Sequence, residues 1–262
     1  MRKKRILFIN PVGHSDWDAA IKDYLEEARS ESTTVDVISL KKGPHHLEYH
    51  YYEALIGVDL LNTIKWAEKD GYDAAVIGCF YDPFLEEARE ICERMVVTAP
   101  AESSLQLASV LGDSFSIIVG RKKWIPAMRR NVMKYGYGEK LASFRSLEMG
   151  VLEFHADENR TRNRLVEEAL KAVEEDRAET IVLGCTIQFG FYRELQEMLG
   201  VPVIDVVLAP FKHAEFLVDL RDRFGWATSK VGGYETPPVR EIREWRLEEQ
   251  YAMDGLWSEK KK

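Results

Sequence analysis

The stretch AVIGC at residues 75–79 recurs later in the chain as IVLGC at residues 181–185. Each copy is a continuous apolar run, typical of a strand that is covered on both faces of a parallel sheet. Each is followed by segments predicted to form a helix, a short strand and another helix. An internal repeat of this size predicts two similar α/β lobes that face each other across a cleft.

Strand-like and helix-like segments alternate along the whole chain, which indicates α/β architecture with mostly parallel sheets. The predicted strands are 5–10, 34–39, 74–78, 95–98, 115–120, 143–147, 180–184 and 201–206, and the predicted helices are 17–30, 51–70, 122–135, 160–176 and 211–223. We therefore expect two pseudo-symmetric lobes, each a mostly parallel sheet flanked by helices, with the active site in the cleft between them. Lobe 1 is predicted to comprise residues 1–99 plus 208–224, and lobe 2 residues 100–207.

Residues 225–262 are predicted to form a C-terminal arm with one helix over about 239–251, ending in Lys260–Lys262. Trp245, Leu247 and Tyr251 are too apolar for a free tail, so we expect this arm to pack on a neighbouring surface. A two-fold interface between copies of the chain would bury these side chains. The sequence therefore predicts a homo-oligomer.

Composition excludes several classes of protein. The chain has 262 residues, 45% of them hydrophobic, and a net charge of −8, which argues against nucleic acid or an anionic membrane as a partner. Its apolar runs are far shorter than the roughly 20 residues of a membrane span. The N-terminal residues lack the apolar stretch of about 7–15 residues that marks a signal peptide. We expect a cytoplasmic protein with free thiols, because three cysteines without a C-x-x-C motif do not make a disulfide framework.

The two repeat cysteines, Cys79 and Cys185, carry the strongest chemical signal. In open α/β sheets ligands bind beyond the carboxyl ends of the strands, and each cysteine follows a strand and a glycine. Asp82-Pro83 is predicted to be the N-cap and first residue of the next helix. A thiol beside a helix N-terminus has its thiolate favoured by the helix dipole. Cys92, by contrast, continues a helical apolar stripe and is predicted to be a core residue.

Other signals are weaker. His46 and His50 are spaced i, i+4 and on a helix could hold a metal, but no third ligand is recognisable. The run of Arg121, Lys122 and Lys123 is interpreted as a solvated charge cluster, from which one cation could point into the cleft. The chain has no G-x-G-x-x-G motif and no P-loop. We therefore expect neither a metal nor a cofactor.

Six motifs together resemble the aspartate/glutamate/hydantoin racemase superfamily, most closely its hydantoin and allantoin racemase branch. They are INP at 9–11, GPHHLE at 43–48, CFYDP at 79–83, AE at 101–102, IP at 125–126 and LGC at 183–185. The similarity covers about residues 5–222. The sequence departs from that branch at Val12, where Asn is usual, at Phe84, where Gly is usual, and at Thr186, which looks more like the amino-acid racemases.

The resemblance implies a cofactor-independent racemase acting on a small molecule, with Cys79 and Cys185 as the two catalytic acid–base groups. Bulky Phe80, Tyr81 and Phe84 favour a cyclic or aromatic-bearing substrate such as a 5-substituted hydantoin. The substrate-binding residues implied are Asn10, Pro11, His45, Phe80, Tyr81, Gly120, Lys122, Thr186 and Ile187.

Three alternatives remain open. A racemase or isomerase of an amino acid or small dicarboxylate would also keep both cysteines. Arylmalonate decarboxylase-like enzymes keep only one, which counts against that activity. A non-catalytic binding protein on a two-lobed scaffold would be expected to carry an export signal.

Overall fold

The apolar runs of the two repeats form inner strands of two separate parallel sheets. The structure, a computed structural model, describes residues 2–253 and 255–257. The first sheet has the strand order β2-β1-β3-β4 and the second the order β6-β5-β7-β8, with every neighbouring pair parallel. The strands are β1 Lys4–Asn10, β2 Thr33–Ser39, β3 Ala74–Ile77, β4 Val96–Thr98, β5 Phe115–Val119, β6 Leu141–Ser146, β7 Thr180–Leu183 and β8 Val203–Ile204. The predicted fold class, two α/β lobes built on the same scheme, is confirmed.

Helices follow the strands in both lobes. The helices are α1 Asp18–Ala28, α2 His50–Asp70, α3 Leu85–Ile91, α4 Pro100–Leu111, α5 Ile125–Lys134, α6 Glu158–Glu174, α7 Tyr192–Leu199, α8 Leu208–Phe224, α9 Val239–Glu244 and α10 Leu247–Gln250. Gly71 closes α2 in the left-handed region at φ 88°, where a glycine carries no Cβ penalty. None of the helices in the described part of the chain has the length and apolar character needed to cross a membrane.

The first sheet is buried on both faces. Along β1, Leu7 and Ile9 pack into one apolar cluster, whereas Ile6 and Phe8 pack into the cluster on the opposite face. Successive side chains of a strand alternate between faces, so a continuous apolar run requires cover on both. Burial on both faces leaves the carboxyl ends of the strands as the place where a ligand can approach.

Helix α8 follows the second sheet in sequence but packs on the first. Its Phe211, Ala214 and Val218 are buried in the same cluster as Ile6 and Phe8. The chain therefore crosses between the lobes after β4 and returns before α8. The exact division into residues 1–99 plus 208–224 and residues 100–207 remains a prediction.

The C-terminal arm differs from the sequence expectation. The single helix predicted over 239–251 is wrong, because Arg246 takes a left-handed conformation at φ 54° and separates α9 from α10. Ile242 and Trp257 are buried against the apolar cluster of the first lobe. Trp245 and Tyr251 instead stay 59% and 48% exposed. The predicted Lys260–Lys262 end lies outside the described residues.

The exposed rings of the arm make the predicted homo-oligomer testable. Replacing Trp245 and Tyr251 together by serine is expected to lower the particle mass measured by light scattering, because large apolar side chains stabilise protein interfaces. The melting temperature of the folded chain should change little at low protein concentration, since both rings are largely exposed. An unchanged mass would contradict an interface formed by these two residues.

Candidate active site

The two Gly-Cys pairs occupy equivalent turns at the ends of β3 and β7. The Gly78 N–H donates to the Ile9 carbonyl at 2.8 Å, and the Gly184 N–H donates to the Ile118 carbonyl at 2.8 Å. A Cβ on Gly78 would lie 2.5 Å from Cε1 of Phe8, and a Cβ on Gly184 would lie 2.8 Å from the Ile118 oxygen. Glycine is therefore required at both turns, and each places the next residue, a cysteine, at the carboxyl end of its sheet.

The structure brings Cys79 and Cys185 together. Two neighbouring cavities lie between the lobes, and each of them is lined by both cysteines. The first cavity, of about 320 Å³, is lined by Leu47, Glu48, Cys79, Phe80, Tyr81, Trp124, Met128, Val151, Gly184, Cys185 and Thr186. The second, of about 570 Å³, is lined by Asn10, Pro11, Val12, His14, Trp17, His45, His46, Leu47, Gly78, Cys79, Val151, Leu152, Cys185, Thr186 and Ile187. The two thiols thus stand where a mostly apolar space meets a more polar one.

The structure places most of the expected substrate-binding residues on these walls. Phe80 and Tyr81 line the first cavity, Thr186 lines both, and Asn10, Pro11, His45 and Ile187 line the second. The Thr186 hydroxyl donates to the Gly78 carbonyl at 3.2 Å and so links the two cysteine turns. This link ties the walls of the site to each other across the cleft.

Two expected residues, Gly120 and Lys122, line neither cavity. Lys122 has an exposed side chain whose Nζ lies 3.2 Å from a carboxylate oxygen of Glu148. A Cβ on Gly120 would lie 2.4 Å from Cη2 of Trp124, so this glycine makes room for a ring that lines the first cavity. Lys122 therefore does not reach the site, and Gly120 contributes to it only through its neighbour.

Several wall residues were not named as site residues from the sequence, although Leu47 and Glu48 belong to the GPHHLE motif at 43–48. Trp124 and Met128 lie in the turn and helix after β5, Val151 lies after β6, and Leu47 and Glu48 lie in the loop between β2 and α2. All of these segments follow strand carboxyl ends, where ligands bind in open α/β sheets. That rule could have identified the segments but not the individual side chains.

The helix N-termini are not where the sequence predicts them. Helix α3 begins only at Leu85 with Phe84 as its N-cap, and Phe84 is left-handed at φ 57°. A short 3₁₀ turn, Thr186–Gln188, follows Cys185. The assignment of Asp82-Pro83 as the start of α3 is therefore wrong.

Asp82 caps a different helix, α4. Its buried carboxylate accepts hydrogen bonds from the N–H groups of Ala101 and Glu102, both at 2.8 Å, and from the Tyr135 hydroxyl at 2.9 Å. The Asp82 N–H donates to the Cys79 carbonyl at 2.9 Å. One side chain therefore fixes the turn after Cys79 against the helices of the second lobe.

Burial raises the pKa of both thiols. For Cys79, burial outweighs the hydrogen bond from the Tyr81 N–H, and the charge of Glu53 raises the pKa further. For Cys185, burial raises the pKa to about 12 despite the hydrogen bond from the Ile187 N–H. No α-helix begins directly at either cysteine, so the expectation that helix termini favour the thiolates is wrong. Cys92 is buried in the core of the first lobe, as predicted.

Alkylation by iodoacetamide should report these raised pKa values. The thiolate is the reacting form, so its fraction at Cys79 and Cys185 should keep rising about tenfold per pH unit up to about pH 10. An exposed thiol with a pKa near 8.5 levels off above about pH 9, and a free cysteine peptide in the same buffers provides this control. Quantifying the alkylated peptides by mass spectrometry tests the prediction. A plateau below pH 9 at both cysteines would contradict it.

The histidine pair does not adopt the helical i, i+4 arrangement that the sequence spacing allowed. His50 is the first residue of α2, whereas His46 lies in the preceding loop and its Nδ1 accepts a hydrogen bond from the Glu48 N–H at 3.4 Å. The two side chains therefore do not stand one turn apart on a helix. Among residues 2–253 and 255–257, no group of three or more His, Cys, Asp or Glu side chains is arranged to hold a metal ion.

Comparison with known proteins gives a consistent result. Residues 6–214 match the sequence model of the Asp/Glu/hydantoin racemase family. The chain is 38% identical over 237 residues to a hydantoin racemase of Pseudomonas sp. (strain NS671), covering 90% of this chain and 93% of that protein. It is 36% identical over 242 residues to a hydantoin racemase of Paenarthrobacter aurescens, covering 90% and 99%. The solved structure of an allantoin racemase from Klebsiella pneumoniae superposes with a TM-score of 0.84 at 30% identity, covering 90% and 94%.

Proposed function

We propose that this chain, which belongs to the Asp/Glu/hydantoin racemase family, inverts C5 of a 5-substituted hydantoin or a related cyclic ureide. Membership of the family makes it a racemase, which is a kind of isomerase. The proton transfer is carried out by Cys79 and Cys185 without a cofactor. The observation that supports this proposal is that both thiols line both cavities between the lobes. Two acid–base groups from opposite lobes can address opposite faces of one carbon atom.

In the proposed reaction one cysteine, as thiolate, removes the proton from C5. The electron pair of that C–H bond moves onto the adjacent ring carbonyl and gives an enolate. The other cysteine, as thiol, donates its proton to the opposite face of C5 and becomes the thiolate. Protons and charge balance, and the two sulfur atoms have exchanged roles.

The surroundings of the sulfur atoms fit this exchange of roles. Each sulfur accepts a hydrogen bond from the N–H two residues further on, that of Tyr81 for Cys79 and that of Ile187 for Cys185. The ionised sulfur therefore meets a donor whichever cysteine carries the charge. A thiolate with a raised pKa is also a strong base, because its withdrawal from water disfavours its charge.

The walls favour a neutral ring with an apolar substituent. Neither cavity is lined by a lysine or arginine of the described residues, and Glu48 is among the residues that line the first one. A substrate carboxylate would meet no permanent positive charge there, which disfavours amino acids and dicarboxylates. Trp124, Met128 and Phe80 offer an apolar space for the C5 substituent, whereas Asn10 and the histidines of the second cavity can hydrogen-bond the ring.

Single enantiomers distinguish the candidate substrates. We expect the optical rotation of 5-benzylhydantoin to decay fastest, that of allantoin more slowly because its substituent is polar, and those of aspartate and glutamate not at all. Blanks without protein correct for spontaneous racemisation. Loss of rotation with aspartate or glutamate alone would overturn the proposal in favour of an amino-acid racemase.

We further propose that the protein works on its small-molecule substrate in the cytoplasm. The three cysteines are free thiols, which suits the reducing conditions of the cytoplasm. Fractionation of cells that produce the protein with its own sequence tests it, and activity recovered only outside the cytoplasm would contradict it.

A further inference from the structure

The carboxylate of Glu48 joins the two lobes. Glu48 lies in the loop between β2 and α2, and its side chain is only 5% exposed. One carboxylate oxygen accepts a hydrogen bond from Nη1 of Arg121 at 2.6 Å, and the other accepts from the Val151 N–H at 2.9 Å. Arg121 and Val151 follow strands β5 and β6 of the second lobe. We name these three residues the interlobe clasp.

The clasp lies directly beside the walls of the site. Leu47 precedes Glu48 in the chain, and both Leu47 and Val151 line both cavities around the two thiols. Next to the clasp, Nζ of Lys123 lies 4.8 Å from the centroid of the Tyr49 ring, a cation–π contact between the same two segments. Arg121 and Lys123 therefore contact the loop of the first lobe, and the interpretation of this run as a solvated charge cluster holds only for Lys122.

The clasp depends on the positive charge of Arg121. Burial alone would raise the pKa of Glu48. The hydrogen bonds from Arg121 and from the Val151 N–H outweigh burial and hold this pKa below its ordinary value. Glu48 is therefore ionised at neutral pH. Without Arg121 a buried carboxylate would lose its countercharge, and such a group is costly to keep buried. Moving the loop into water relieves that cost.

We propose that Glu48 and Arg121 are positioning residues that hold the β2–α2 loop against the second lobe and so keep Leu47 and Val151 closed around the cysteine pair. They act through the shape of the cleft rather than by proton transfer at the substrate. This inference rests on the proposed function insofar as Cys79 and Cys185 are the reacting groups. It assigns a role to Arg121 that the sequence left open.

The test compares Arg121→Met with Lys134→Met. Nζ of Lys134 lies 3.0 Å from the carboxylate of Glu86, so this control also removes one cation from an ion pair between the lobes, but away from the cavities. Arg121→Met is expected to raise the iodoacetamide alkylation rates of Cys79 and Cys185 at pH 8 about tenfold, because local opening exposes them. The KM for the substrate should rise severalfold with a smaller change in kcat, while Lys134→Met matches the wild type in both.

Three further measurements separate positioning from a general loss of structure. Arg121→Lys should restore most of the protection, since it keeps the cation. Raising the salt concentration should speed alkylation of the wild type but not of Arg121→Met, because Arg121 is partly exposed and screened by salt. The double variant of Glu48→Gln with Arg121→Met should be no more open than Arg121→Met alone.

Four results would overturn the inference. Three of them are unchanged alkylation and KM in Arg121→Met, an equal effect in Lys134→Met, and additive effects in the double variant. A melting temperature of Arg121→Met far below that of the wild type, with no rescue by Arg121→Lys, would likewise show a structural role only. Alkylation needs no substrate, so these results stand even if the proposed substrate is wrong. Conversely, if these results contradicted the clasp proposal, racemisation by the wild type would still support the proposed function.

Discussion

Serine in place of Cys79 or of Cys185 is expected to abolish racemisation while leaving substrate binding largely intact. A serine hydroxyl is too weak an acid to supply the alkoxide base or to replace the thiol as proton donor at neutral pH. Since a positioned acid–base group contributes about 10²–10⁴-fold in rate, the loss of turnover should be at least of that size. Polarimetry with one enantiomer of 5-benzylhydantoin measures it, and a dissociation constant for the same ligand shows that binding survives.

Heavy water distinguishes the two variants from each other. Each keeps one sulfur, which can remove the C5 proton from the enantiomer whose hydrogen points towards it and return deuterium to the same face. Each variant is therefore expected to exchange one enantiomer without inverting it, and the two variants should select opposite enantiomers. Mass spectrometry of the recovered substrate, after chiral separation, gives both quantities.

The control for the cysteine variants is Cys92→Ser. Cys92 is 2% exposed in the core of the first lobe and lines neither cavity. Its replacement should leave turnover near that of the wild type, with at most a modest loss of stability. If both cleft variants exchanged the same enantiomer, or if either still racemised freely, the two-base mechanism would fail.

Asp82→Ala is expected to have the largest effect on stability, a loss of about 3 kcal/mol in the free energy of unfolding. It leaves two N–H groups of α4 and the Tyr135 hydroxyl without their buried acceptor, and an unsatisfied buried group costs about 1–3 kcal/mol. Alanine also tolerates poorly the left-handed backbone of residue 82 at φ 50°. Turnover should fall as well, because the turn that carries Cys79 loses its anchor.

Two further variants serve as controls for this prediction. Asp82→Asn keeps an acceptor oxygen and tolerates the left-handed backbone, so it should lose less than half as much stability. Asp157 caps α6 by accepting a hydrogen bond from the Arg160 N–H at 3.0 Å in an exposed position. Asp157→Ala should cost only about 1 kcal/mol, as is usual for a cap, with unchanged turnover. Urea unfolding measures all three, and equal losses for Asp82→Ala and Asp157→Ala would refute the buried-anchor argument.

The sequence by itself determined the architecture, the pair of cysteines and the family. Two apolar runs ending in Gly-Cys are local patterns, and each demands a doubly covered strand whose end carries a thiol. Glycine is required at those turns because Phe8 and the Ile118 carbonyl leave no room for a Cβ. The bounds of five helices, α1, α2, α5, α6 and α8, also followed from local signals to within about three residues, as with Gly71 at the end of α2.

The tertiary structure alone decided how those residues are used. Asp82 caps α4 instead of α3 because the lobes bring Ala101 and Glu102 to its carboxylate, a contact that no local spacing encodes. Arg121 rather than Lys122 reaches the site region because the buried Glu48 accepts its hydrogen bond. The pKa values of both thiols are raised because burial outweighs their N–H donors. Burial and long-range pairing are properties of the packed chain, so they exist only once the two lobes have come together.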